Sequence, residues 1–133
     1  GEGATALFEV KVKGAESVEA AKVLAKSIAC SNLTKTAIAG HDANWGRIVC
    51  AMGYSGAQFD PEKVDLFFES KAGKIQIAED GVALDFSEEK ATEILSQPEV
   101  TAIADVKMGD AEATAWGCDL THGYIEINAD YRS

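Results

Sequence analysis

The last sixteen residues of the chain, 118–133, hold several polar groups close to one short strand pattern. Two apolar residues alternate there with three polar ones: Ile125 and Ile127 against Tyr124, Glu126 and Asn128. The alternation predicts a final strand with one apolar and one polar face. An amide, a carboxylate, the Arg132 guanidinium and the terminal carboxylate of Ser133 then lie near one another, which suits recognition of a small charged amino acid. The alternative is a frayed tail without a function.

Other residue types that carry chemistry are sparse and poorly spaced. His41 and His122 are the only histidines, and the sequence has no Cys-x-x-Cys or His-x-x-x-His pattern, so no metal site is predicted. Cys118 and His122 are the residue types of a nucleophile and its base. Cys118 ends an apolar strand pattern, however, and we expect an inert thiol. No glycine-rich phosphate loop is present.

The segment Asp42-Ala43-Asn44-Trp45-Gly46-Arg47 is dense in chemical groups. In a structural interpretation Asp42 caps a helix, Trp45 is core, Gly46 permits close helix packing and Arg47 pairs with a carboxylate. In a functional interpretation the helix N-terminus and Asn44 hold a carboxylate ligand. We favour the structural interpretation, because every residue then has an ordinary role.

Glu2 lies between two glycines ahead of a strand pattern. Glycines let the backbone approach a ligand closely, and a carboxylate there could accept hydrogen bonds from a substrate ammonium group. The alternative is an exposed terminal loop.

Three ordered motifs together resemble one enzyme family. They are the opening Gly1-Glu2-Gly3-Ala4-Thr5, the segment Asp42–Arg47 after His41, and the ending Cys118-Asp119-Leu120-Thr121 with Tyr124-Ile125-Glu126-Ile127-Asn128 and Asp130-Tyr131-Arg132-Ser133. They are similar to the C-terminal part of the nucleophile-bearing β chain of ornithine acetyltransferase (glutamate N-acetyltransferase). The family's opening motif has an aspartate before its glycine, where this chain begins, and a lysine where this chain has Ala6.

The resemblance implies an activity and a set of partners. Family members move an acetyl group from N2-acetylornithine to glutamate in arginine biosynthesis, through an acetyl-threonine intermediate. They use no cofactor, although some members also take acetyl-CoA as the donor. They cleave themselves into an N-terminal α chain and a β chain and assemble as heterotetramers of two α and two β chains. The absence of an initiator methionine fits a cut or excised piece of such a protein.

The resemblance also assigns residue roles. Glu2, Asn128 and Ser133 match family residues that bind the amino-acid substrate. The nucleophilic threonine and the oxyanion donors lie upstream of the matching region, so no catalytic residue is expected in this chain, and Thr5 is not the nucleophile. The rival interpretation is a stand-alone α+β module that binds amino acids or regulates, without catalysis.

Composition sets the remaining limits. A chain of 133 residues fits one domain. Its 12 basic and 22 acidic residues give a net charge of −10, which argues against nucleic-acid and anionic-membrane partners. The three cysteines, Cys30, Cys50 and Cys118, cannot all pair, and their apolar contexts predict free buried thiols in a reducing compartment. We therefore expect a cytoplasmic protein.

The periodicities predict an α+β fold, a mixed sheet layered with helices in the order β-α-(β)-α-β-β-α-β-β-β. Thr34–Ala39 is either a brief strand or an extended link. Gly109-Asp110 has the signal of a two-residue hairpin turn. The predicted elements, in chain order, are a strand at Phe8–Val12, a helix capped by Ser17, a helix capped by Asp42, a hairpin of Val64–Phe68 and Ile75–Ile77, a helix capped by Ser87, and strands at Val100–Met108, Ala111–Gly117 and Tyr124–Asn128.

Overall fold

The computed structural model describes residues 7–118 and 125–129, with the backbone alone for Cys118 and residues 125–129. Its elements confirm the α+β class. The strands are β1 (Leu7–Ala15), β2 (Asp65–Ser70), β3 (Gly73–Glu79), β4 (Val82–Ala83), β5 (Glu99–Asp105), β6 (Ala111–Cys118) and β7 (Ile125–Ala129). The helices are α1 (Val18–Cys30), α2 (Asn32–Ala39), α3 (Trp45–Gly53) and α4 (Glu88–Leu95), with a 3₁₀ turn at Pro61–Lys63.

The strands form one mixed sheet in the order β4-β3-β2-β5-β1-β6-β7. β1 runs parallel to β5, and every other neighbouring pair is antiparallel. Burial alternates along β1 and shows which face of the sheet is apolar. Phe8, Val10 and Val12 are fully buried on one face, whereas Glu9 and Lys11 are half-buried on the other. α1 packs on β1 and β6, and α4 packs on β2 and β3. The apolar face therefore forms the core beneath the helices.

The interpretation of Thr34–Ala39 as a strand or link was wrong, because this segment belongs to the helix α2. Ser31 ends α1 and caps α2, accepting a hydrogen bond from the Thr34 backbone N–H at 3.1 Å. The buried side chains of α2 recur at helical spacing and pack against α1 and α3. A short apolar run does not distinguish strand from helix, and tertiary packing decided it.

The hairpin predicted at Gly109-Asp110 was also wrong. β5 and β6 are not paired with each other, because β1 lies between them and pairs with both. The strand predicted to reach Met108 ends at Asp105, and Lys107 follows with a φ of 56°. The connection passes so close to the end of β1 that a Cβ on Gly109 would lie 2.6 Å from the Ala15 carbonyl oxygen.

The remaining predicted elements occur near their predicted positions. β2 and β3 form the expected antiparallel hairpin, and Ser17 and Ser87 cap α1 and α4. β4 is a two-residue strand that the sequence did not predict. Within residues 7–118 and 125–129, none of the helices has the length and apolar character needed to span a membrane.

Candidate functional site

Of the three predicted substrate residues, Asn128 is the one that belongs to the described part of the chain. Glu2 and Ser133 lie outside the described residues. Asn128 lies in β7, where the backbone register places it opposite Thr114 of β6, and Thr114 lies opposite Lys11 of β1. Asn128 is thus separated from β1 by the single strand β6. β1 itself begins five positions after Glu2 in the sequence.

A hydrogen-bonded row of side chains crosses the sheet near the start of β1. The Glu9 carboxylate accepts a hydrogen bond from the Thr101 hydroxyl at 2.7 Å and from the Trp116 indole N–H at 2.9 Å. These residues lie on β1, β5 and β6 and are directly opposite one another in the register. Each carboxylate oxygen accepts one of these hydrogen bonds, so the Glu9 side chain links three strands.

Two cavities lie beside this row. A groove of about 500 Å³ is lined by Glu69, Ser70, Lys71, Gln97, Pro98, Glu99 and Thr101. A smaller cavity of about 100 Å³ is lined by Leu7, Glu9, Glu99, Val100, Thr101 and Trp116. The two share Glu99 and Thr101. The larger one has room for an amino acid, but these described lining residues include no cysteine or histidine that could form a nucleophile–base pair.

A cluster of charges at the other end of β1 has a structural role. The Lys107 ammonium lies 2.8 Å from an Asp80 carboxylate oxygen and 3.0 Å from one of Asp65. Hydrogen bonds to Asp80 and then to Asp65 raise the pKa of Lys107 above its ordinary value of 10.5. The same Asp65 oxygen accepts a hydrogen bond from the Asp80 backbone N–H at 2.9 Å. The cluster joins the connection after β5 to β2 and to the turn after β3.

The motif at Asp42–Arg47 is the start of a helix, although its cap differs from the prediction. Asn44 is the N-cap of α3, and its side-chain oxygen accepts from the Arg47 backbone N–H at 3.1 Å. Asp42 supports that cap by accepting from the Asn44 amide at 3.1 Å. The reason is chain geometry: Asn44 directly precedes the first helical residue, whereas Asp42 lies two residues earlier.

The other structural roles predicted for this motif are only partly seen. Trp45 is half-buried and packs on the edge of the core rather than within it. Gly46 is exposed, and a Cβ there would make only an ordinary contact with Asn44 at 3.5 Å, so Gly46 is not required for helix packing in the described region. Among the residues that the structure describes, no carboxylate forms an ion pair with Arg47.

The cysteine prediction was wrong where the structure tests it. Cys30 and Cys50 are free but exposed, because each lies on the outer side of an amphipathic helix whose inner side is already filled by alanine, isoleucine and methionine. The side chain of Cys118 and the whole of His122 are not among the parts of the chain that the structure describes. The described residues contain no group of three or more histidine, cysteine or acidic side chains placed to hold a metal ion.

Sequence reasoning missed one polar group. Ser31, Thr34 and Lys35 are buried, with 6%, 1% and 5% of their surfaces exposed. They lie where α1 is followed by α2, and Thr34 and Lys35 belong to the segment predicted as a strand or an extended link. A helix predicted at this segment would have placed Ser31 and Lys35 one turn apart on the same face, and this spacing would have indicated the polar cluster.

Comparison with known proteins identifies the family. The model of the ArgJ family matches residues 1–133. Arginine biosynthesis bifunctional protein ArgJ of Thermotoga neapolitana is 56% identical over 100% of this chain and 34% of that protein. ArgJ 1 of Clostridium acetobutylicum is 52% identical over 100% of this chain and 33% of its own length. The chain thus spans about a third of the length of these curated relatives.

The fold agrees with these sequence matches. The crystal structure of ArgJ from Bacillus halodurans superposes with a TM-score of 0.82 at 44% sequence identity, covering 93% of this chain and 57% of that one. The whole-chain family match and this common fold together establish that the chain belongs to the ArgJ family of bifunctional arginine-biosynthesis proteins.

Proposed function

We propose that this chain is the C-terminal part of the β chain of an ornithine acetyltransferase, a self-processed enzyme of arginine biosynthesis that acts in the cytoplasm. The observation that carries the proposal is the match of the family model to residues 1–133. The order of the opening, central and closing motifs within one chain adds support.

In the proposed reaction the chemistry resides on a threonine of an upstream segment. Its hydroxyl attacks the acetyl carbonyl of N2-acetylornithine, an ester forms, and the amine of ornithine leaves with a proton. The amine of glutamate then attacks the ester, which gives N-acetylglutamate and frees the hydroxyl. The two half-reactions balance without a cofactor. Acetyl-CoA, if it serves as a donor, would acylate the same hydroxyl and release the free thiol.

This chain would contribute substrate recognition. Glu2 would accept hydrogen bonds from the substrate ammonium group, and Asn128 and Ser133 would bind its carboxylate and amine, since an amide both donates and accepts. The described sheet would position these groups. β1, which follows Glu2, is held between β5 and β6 by the Glu9 hydrogen bonds, and β7 presents Asn128 beside β6. The α chain and the upstream part of the β chain would complete the site in a heterotetramer of two α and two β chains.

The test compares the 133-residue chain with the longer protein that the proposal requires. Because the nucleophile is assigned to an upstream segment, the mass-verified chain alone should not transfer acetyl groups from N2-acetylornithine to glutamate above background. The longer, self-cleaved protein should do so. Turnover by the 133-residue chain would contradict the assignment of the nucleophile. Amino-acid binding by the native protein without an upstream coding sequence would instead favour a stand-alone binding module.

A further inference from the structure

The buried polar residues of the described region are confined to one place. Ser31, Thr34 and Lys35 are the buried polar or charged residues among residues 7–117; Ser31 is the N-cap of α2, and Thr34 and Lys35 lie in its first turn. Thr34 is directed toward α3, since its hydroxyl lies 3.5 Å from the Arg47 carbonyl oxygen. Within the described residues, no side-chain hydrogen bond joins Ser31 or Lys35 to α3.

Lys35 lacks a counterion within the described part of the chain. No hydrogen bond or ion pair joins its ammonium group to any group in residues 7–118 or 125–129, although only 5% of the residue is exposed. A buried ammonium group without an acceptor costs folding free energy, because its interactions with water are lost and not replaced. The position therefore calls for an anion from elsewhere.

Three kinds of donor belong to the start of α2. Ser31 and Lys35 are four residues apart and share one face of α2. Because long side chains on a helix lean toward its N-terminus, we expect the Lys35 ammonium group on the Ser31 side of its own Cα. The Ser31 oxygen already accepts from the Thr34 backbone N–H at 3.1 Å, which leaves its O–H free to donate. The first amides of α2 add a positive helix terminus.

We propose that the first turn of α2 is a binding site for a single carboxylate group, held by the Lys35 ammonium and the Ser31 hydroxyl. A carboxylate has two acceptor oxygens, one for the Lys35 ammonium group and one for the Ser31 hydroxyl. The carboxylate comes either from a free amino acid or from an acidic side chain elsewhere in the intact protein. The site itself does not depend on the acetyltransferase assignment, whereas the source of the carboxylate in the intact enzyme rests on that proposed function.

The first experiment titrates the ¹⁵N-labelled 133-residue chain with sodium acetate, using sodium chloride of the same ionic strength as the reference. The backbone amide signals of residues 31–35 should shift saturably with acetate alone. Lys35→Met should weaken this binding about tenfold or more, because it removes a charge-assisted hydrogen bond. Lys35→Arg should retain binding. Lys26→Met, which removes an exposed lysine of α1, is the matched control and should bind as the parent does.

Equal shifts with chloride, or unaltered acetate binding by Lys35→Met, would overturn the proposal. A stronger response to phosphate than to acetate would overturn the assignment of the ligand as a carboxylate. The Lys35→Met chain is expected to fold, since a methionine of similar length replaces a buried ammonium group that has no ion-pair partner among the described residues.

The second experiment finds the source of the carboxylate by placing Lys35→Met in the intact enzyme. A raised KM for glutamate with an unchanged Tm would identify the amino-acid substrate. A lowered Tm with an unchanged KM would identify an acidic side chain of the larger protein. No change in either quantity would show that no carboxylate occupies the site in the intact enzyme and would refute the proposal there.

Discussion

Replacing Glu9 by glutamine tests whether one carboxylate holds the centre of the sheet together. Glu9 accepts hydrogen bonds from Thr101 on β5 and Trp116 on β6, at 2.7 Å and 2.9 Å. The amide oxygen of glutamine can still accept from the Trp116 indole N–H, and its NH₂ group can donate to the Thr101 hydroxyl oxygen, so the substitution removes the negative charge that strengthens both hydrogen bonds. A hydrogen bond to a charged group contributes about 1.5–3 kcal/mol when buried. Because this row is half-buried, water can replace part of the loss, and we expect Glu9→Gln to cost about 1–2 kcal/mol.

The measurement is urea denaturation of the 133-residue chain. Glu69→Gln is the matched control, because Glu69 lies opposite Thr101 in the same cross-strand row but is exposed. It should change the free energy of unfolding by less than about 0.5 kcal/mol.

A double-mutant cycle isolates the contact between Glu9 and Trp116. Trp116→Phe removes the indole donor and keeps an aromatic ring, so Glu9→Gln should cost less in that background, with a coupling energy of about 0.5–1.5 kcal/mol. The reasoning would be refuted by a Glu9→Gln chain within about 0.3 kcal/mol of the parent, or by strictly additive effects.

Three further outcomes follow from the described contacts. Trp45→Ala should lower the free energy of unfolding by about 1.5–3 kcal/mol in chemical denaturation. This is less than the roughly 3–5 kcal/mol of a fully buried tryptophan, because Trp45 is half-buried. A loss under about 0.5 kcal/mol would show that the ring does not pack on the core. Gly81→Ala should cost about 2 kcal/mol or more, since Gly81 has a φ of +77° and a Cβ there would meet the Pro61 carbonyl, and a neutral result by the same assay would contradict this geometry. The raised pKa of Lys107 means that its ammonium group stabilises the fold fully below pH 10.5, the ordinary pKa of lysine, and that this stabilisation is lost as the pH rises above 10.5. Above pH 10.5 the free energy of unfolding should therefore fall more steeply for the parent than for Lys107→Met. Parallel pH profiles of the two proteins would refute that linkage.

The secondary structure could be predicted where one periodicity dominates. The strict alternation of Phe8, Val10 and Val12 predicts a strand with one apolar face, and the four-residue spacing of Leu24 and Ile28 predicts a helix with one apolar face. Serine at positions 17 and 87 marked the starts of two helices through a local hydrogen bond that needs no tertiary contact. These features depend on neighbours within four residues, which the sequence states directly.

The candidate site could be predicted only through the motifs that resemble a family. Nothing in the spacing of Glu2, Asn128 and Ser133 places them together, and two of the three lie outside the described residues. The cross-strand row of Glu9 was not predictable either, because its partners lie 92 and 107 positions away along the chain.

Tertiary structure alone decided which strands are neighbours and where polar groups are buried. The Gly109-Asp110 dipeptide carries a local hairpin signal, yet β1 lies between β5 and β6. This central position satisfies the backbone of β1 on both edges and places its apolar face beneath α1. Thr34–Ala39 has too few residues for its period to be read, and packing against α1 and α3 made it a helix. In this helix Lys35 lies one turn from Ser31. Its burial could not be predicted from a local sequence pattern, because the surface that covers it is formed by other parts of the chain.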